Sequence, residues 1–208
     1  MRFTHPLDMI LSSAVKVRVL RIFCRAGVEL SGRQTAKMVG ATPKTAHEVL
    51  QGLMREGLIL MKVAGKTHLF RLNEGQVMSG ILKGLFADEE KLKGWLLEAI
   101  VASVKQSSLK SDVLCIALFG SIYEKTQGPS SDVDLLVVVK TAEDKKKVED
   151  LFFQIDERVS SRWGNPIAPY VNSLLEFRNK AKKATGVVPH ILKSYQLIYG
   201  DRLERLLR

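Results

Sequence analysis

Val113-Leu114-Cys115-Ile116-Ala117-Leu118-Phe119-Gly120-Ser121, followed by Ser131-Asp132-Val133-Asp134-Leu135-Leu136-Val137, is the most informative stretch of the 208-residue chain. The apolar run from Val113 to Phe119 is continuous, as in a strand covered on both faces, and it stops abruptly at Gly120-Ser121. Glycine at such a point lets a ligand approach the backbone. The amides opening a following helix, with the serine hydroxyl, can hold phosphate oxygens. Asp132 and Asp134 then head a second apolar run, Leu135 to Val139. Side chains at i and i+2 of a strand leave on one face, so the two carboxylates repel each other unless a cation lies between them. Magnesium suits that position, because it takes one or two carboxylates and lets substrate phosphates complete its octahedron. Taken singly, neither half is specific. Gly-Ser after a strand is commonplace, and Asp-x-Asp also suits an exposed turn before a buried strand.

Together, with eleven residues from Ser121 to Asp132, the two halves resemble the minimal members of the DNA polymerase beta-like nucleotidyltransferase superfamily. Phe119-Gly120-Ser121 and Ser131-Asp132-Val133-Asp134-Leu135-Leu136-Val137 match that family's pattern. The resemblance implies nucleoside triphosphate binding by Gly120, Ser121 and Ser131, and a magnesium or manganese ion on Asp132 and Asp134, which would be the catalytic pair. Glu124 and Lys125 stand where the family usually shows Arg and Gly. Active members also carry a third carboxylate on a later strand, for in-line phosphoryl transfer by two metals. The strand expected here, Pro166-Ile167-Ala168-Pro169-Tyr170-Val171-Asn172-Ser173, has no acid, and Glu176 is expected to open the helix after it as a solvated residue. Two functions therefore stay open: nucleotidyl transfer to an acceptor, or a regulator whose nucleotidyltransferase fold senses nucleotide without turnover. Minimal members of the family also occur as partners in toxin-antitoxin pairs.

The first 75 residues read differently. Leu11, Val15, Val19 and Ile22 recur at helical spacing. Ser31-Gly32-Arg33-Gln34 has the form of a capping box opening a second helix that Gly40 can end. Thr42-Pro43 sets a cap and a first-turn proline for a third, with Ala46, Val49, Leu50 and Leu53 inward and Gly57 as the stop. Leu58–Val63 and Thr67–Leu72 are strand-like runs around Ala64-Gly65-Lys66, hence a hairpin. Three helices with a basic hairpin resemble the winged helix-turn-helix of bacterial and archaeal regulators over residues 8–74. That resemblance implies a double-stranded DNA partner, met by Lys44, Thr45, His47, Gln51 and Arg55 on the third helix and by Lys62, Lys66 and Arg71 on the hairpin. Glu48 shares the helical face, and a solvated face in a protein-interaction module is the alternative. A homodimer is the expected assembly of such a regulator.

Charge distribution agrees with this division. The formal net charge is +10, and residues 1–75 hold 12 Lys and Arg against 5 Asp and Glu, so most of the excess lies there. Lys145-Lys146-Lys147, flanked by acids, and Lys180, Lys182 and Lys183 are expected to be solvated helix faces. Two cysteines, both in apolar stretches, suit reduced buried thiols, and four scattered histidines have no metal spacing. No apolar segment is long enough to cross a bilayer and residues 1–8 lack the features of a signal peptide, so a cytoplasmic protein is expected. Val77, Ile81 and Leu85, then Leu92, Leu96, Ile100 and Val104, predict a helical connector broken near Ala87-Asp88 and ending at Gln106-Ser107-Ser108. Trp95 and Trp163 read as core. The expected class is α+β: a winged helix over 1–75, a helical connector over 76–108, and a nucleotidyltransferase-like mixed sheet with helices over 109–208.

Overall fold

A computed structural model describes residues 3–27, 29–129, 131–183 and 185–208. It is an α+β structure of two compact units, Met1–Leu92 and Lys93–Arg208. In the first, α1 (Pro6–Ile10), α2 (Ala14–Ala26), α3 (Gly32–Val39) and α4 (Pro43–Arg55) accompany a small antiparallel sheet of β1 (Leu30–Ser31), β2 (Ile59–Ala64) and β3 (Thr67–Leu72), in the order β1-β3-β2. The capping signals act as the sequence predicts. The Ser31 hydroxyl accepts from Gln34 N while the Gln34 side chain accepts from Ser31 N, and Thr42 accepts from Thr45 N ahead of Pro43. Ala46, Val49, Leu50 and Leu53 are buried, and the last three share a core with Val19, Leu20, Phe23, Phe70 and Leu72. The two-residue strand β1, which pairs Leu30 with Phe70, is too short for a period-2 pattern to announce it.

Val77–Gln106 is one continuous helix, α5, which corrects the expected break near Ala87-Asp88. The polar cluster that interrupts its apolar stripe is held by ion pairs instead. Arg21 donates to Glu89 at 2.6 and 2.8 Å, Arg25 pairs with Glu90, and Lys91 with Asp88. All of these residues are good or tolerated helix formers, so nothing local stops the helix.

The second unit is built on a four-stranded mixed sheet of β4 (Val113–Leu118), β5 (Val133–Val139), β6 (Ile167–Ser173) and β7 (Gln196–Gly200), in the order β6-β5-β4-β7. Only β5 and β6 are parallel, joined across α7 (Ala142–Trp163). The remaining helices are α6 (Gly120–Glu124), α8 (Leu174–Ala181), α9 (Val187–Ile191) and α10 (Leu203–Leu206). Alternate β5 residues divide between two cores. Val133, Leu135, Val137 and Val139 pack with Val148, Phe152 and Ile155 of α7, whereas Leu136 and Val138 pack with Phe177, Val188, Ile191 and Leu203. Burial on both faces is why β4 and β5 read as unbroken apolar runs. Trp163 packs on the first of these cores, but Trp95 is 41% exposed, contrary to its reading as core. Cys115 is buried, Cys24 half-buried, and burial raises their thiols to about 12 and about 11. No helix among the described residues is long and apolar enough to cross a membrane.

Candidate functional site

Gly120 and Asp134 are brought into contact by the turn that leaves β4. Phe119 N donates to Asp134 O at 3.1 Å, and Gly120 then takes φ +70°, which swings the chain over the Asp134 side chain. A Cβ on Gly120 would lie 2.9 Å from the Asp134 carboxyl carbon and nearer still to its oxygen. Glycine is therefore required twice over, by a left-handed backbone and by the carboxylate in the space of its missing side chain. The two halves of the sequence motif meet at this contact.

Asp134 is half-buried near the start of β5, on the sheet face it shares with Leu136 and Val138, and Asp132 is exposed just before the strand. Burial raises the Asp134 carboxyl above its ordinary range, and the nearby Asp132 charge raises it further. Among the described residues neither carboxylate has an ion pair, a hydrogen bond or a third His, Cys, Asp or Glu grouped with it. Two neighbouring carboxylates with unused oxygens and no balancing cation are a donor set that fits a divalent metal.

The half-buried Ser121 has a hydroxyl without a partner among the described residues, and its carbonyl accepts from Thr126 N at 3.0 Å. The helix it opens, α6, has only five residues, so the phosphate grip rests on the hydroxyl and loop more than on a helix dipole. Lys125 caps α6 with φ +61°. A residue with a Cβ thus holds this left-handed turn at a cost of about 1–2 kcal/mol. Ser131 is occupied within its own loop: its hydroxyl accepts from Gly128 N at 2.9 Å and its carbonyl from Asn165 Nδ2 at 2.8 Å. Asn165 is a positioning residue that sequence reasoning missed, since only the fold brings it beside Ser131.

On β6 the register sets Ala168 opposite Asp134 and Tyr170 opposite Leu136, so the strand beside the carboxylates offers no acid on that face. Glu176 completes a capping box with Ser173 and pairs with Lys145, roles that hold its carboxyl below the usual range. Lys180 corrects its reading as a solvated lysine. Its ammonium donates to the buried Asn172 side chain and lies 4.8 Å from the Tyr170 ring centre. A tail lysine on a helix gives no sequence sign of the strand it reaches back to.

In the first unit Lys44, His47, Gln51 and Arg55 form a polar stripe on α4 opposite its buried face, with Thr45 half-buried at the edge. The hairpin cations occupy different places. Lys62 faces Leu69 and Arg71 faces Leu60 across the ladder, which puts both on one face, and Lys62 is paired with Glu29. Lys66, in the turn, stands instead near His47 around a common cleft.

No curated protein matches the sequence significantly. Solved structures similar to this chain include the AntR antimony-specific transcriptional repressor, at 24% identity over 42% of this chain and 78% of that one, with a TM-score of 0.35. NadR in complex with 4-hydroxyphenylacetate is similar at 16% identity over 50% and 74%, with a TM-score of 0.37. A toxin-antitoxin complex with AMP-PNP is similar at 15% identity over 53% and 80%, with a TM-score of 0.35. Residues 102–202, the segment containing Gly120, Ser121, Asp132 and Asp134, match the family described as Polymerase beta, Nucleotidyltransferase.

Proposed function

We propose that the second unit binds a nucleoside triphosphate together with magnesium or manganese, and that the first unit is a winged helix-turn-helix that binds double-stranded DNA. The observation that carries the nucleotide reading is the contact of Gly120 with the Asp134 carboxylate, which joins the Gly-Ser turn to an uncompensated acidic pair. Asp132 and Asp134 would hold the cation, Gly120 and Ser121 the phosphates, and Ser131 the loop that aims Asp132. The chemistry supplied by the cation is charge neutralisation at the phosphates. The α4 stripe and the charge excess of residues 1–75 support the DNA reading.

Two readings follow from binding. In the first, an acceptor hydroxyl oxygen bonds the α-phosphorus, its proton leaves to solvent, and pyrophosphate departs as the bond to the β-phosphate oxygen breaks. In the second, nucleotide occupancy regulates a DNA-binding protein without transfer, a reading favoured by Ala168 and Tyr170 in place of an acid beside Asp134. Incubation with α-labelled triphosphates, magnesium and candidate acceptors separates them. Label transferred by the wild type but not by Asp132→Asn establishes the first reading. Saturable, magnesium-dependent triphosphate binding without label transfer establishes the second, and no triphosphate binding at all refutes both.

A further inference from the structure

A cleft of about 520 Å³ opens between the starts of α3 and α4 and the hairpin turn, and Arg33, His47, Lys66, His68 and Phe70 are among the residues that line it. We propose that this cleft is a seat for one phosphate group, held by Arg33, His47, Lys66 and His68, and that in the DNA-bound protein the group is a backbone phosphodiester. The assignment to DNA rests on the reading above, whereas the seat itself rests on the cleft.

Sequence reading placed His47 and Lys66 among the DNA contacts, but neither Arg33 nor His68. The fold unites the four. His68 and Phe70 alternate onto one face of the hairpin, and the ladder puts His68 opposite Val63 and Phe70 opposite Met61, on the side away from Lys62 and Arg71, while Lys66 lines the cleft from the turn. Near the base of the hairpin that face enters the core through Phe70, which is 2% exposed. Toward the turn the core ends, and the same face presents the exposed His68 beside the exposed Lys66 of the turn. The capping box fixes the start of α3 and with it the position of Arg33, while His47 projects from the first turns of α4.

Charge and partners point to an anion. No Asp or Glu lines the cleft, and all four side chains are exposed without a hydrogen bond or ion pair among the described residues. Elsewhere in the unit Arg21, Arg25, Lys62 and Lys83 each pair with a glutamate. Arg33 and Lys66 therefore line one cleft with no acid to balance them, and an oxyanion entering it meets unbalanced positive charge. The guanidinium fork of Arg33, two imidazoles and an ammonium supply several donors around a tetrahedral oxyanion and no acceptor when the imidazoles are charged.

Two measurements on the full-length protein test the seat. In the first, a fluorescein-labelled duplex is titrated at several salt concentrations with wild type, Arg33→Ala, His68→Ala and the double variant. Circular dichroism is checked for each variant. Loss of Arg33 should weaken binding about tenfold and reduce the slope of log affinity against log salt by about one. Wild-type binding with unchanged affinity and slope in every variant overturns the proposal. In the second, inorganic phosphate is titrated while the imidazole proton resonances of His47 and His68 are followed by NMR. Saturable shifts of both that disappear in Arg33→Ala support the seat. Such shifts in a protein that does not bind duplex identify a free phosphate as the ligand and refute only the DNA reading. Absence of both duplex binding and histidine shifts overturns the seat.

Discussion

The contact between Gly120 and Asp134 ties the two halves of the candidate site together, and it leads to two residue-level predictions. Gly120→Ala meets both a φ of +70° and the Asp134 carboxylate, so it should destabilise the protein by about 1–3 kcal/mol and abolish triphosphate binding, checked by thermal melting and titration. Asp134→Asn removes a half-buried charge that burial and Asp132 both disfavour, so in metal-free buffer the variant should melt above the wild type. Added magnesium should reverse the order by stabilising only the wild type, because binding to the native state raises its melting temperature. At this scale the contact of Gly120 with Asp134 joins two stretches that the sequence already singles out, although Asp132 precedes β5 and strand period alone does not place it. Lys125, Asn165 and Lys180 were not legible in the sequence. Their roles depend on a backbone torsion, on a loop packed beside Ser131 and on a side chain reaching back to β6, none of which follows from spacing along the chain.

Caps and ion pairs explain the elements better than hydrophobic period does. The Ser31–Gln34 box was readable in four letters, and Ser31→Ala should cost about 1 kcal/mol by chemical denaturation, since it frees an α3 amide. Helix α5 shows the opposite case. Its apolar stripe is interrupted at Ala87-Asp88, yet no residue there breaks a helix, and Glu89 and Glu90 pair with arginines on α2, a partner that lies far away in sequence. The Arg21 hydrogen bond holds the Glu89 carboxyl below its ordinary 4.5. The folded state thus binds the proton less tightly than the unfolded one, and the pair's stabilisation is complete above the ordinary value and lost as pH falls through the lowered one. Glu89→Gln should therefore cost less than about 1 kcal/mol at neutral pH, because both side chains are partly solvated. Its denaturation midpoint should converge with that of the wild type in acid.

For the molecule as a whole, the sequence divides the chain by charge and by pattern, and the structure divides it into two compact units. The surplus of positive charge in residues 1–75 predicts duplex binding that weakens steeply with salt, and Lys44→Ala or Lys66→Ala should lower affinity at every sequence alike; fluorescence anisotropy across a salt series reads both effects. Triphosphate and metal binding by the second unit can be read by isothermal titration. Wild-type protein is titrated with a nucleoside triphosphate with and without magnesium, beside the Asp132→Asn, Asp134→Asn double variant. Saturable binding that requires magnesium and vanishes in the double variant is the predicted result. Binding of equal strength in the double variant, or none in the magnesium-loaded wild type, would contradict a triphosphate–metal site at Gly120, Ser121, Asp132 and Asp134.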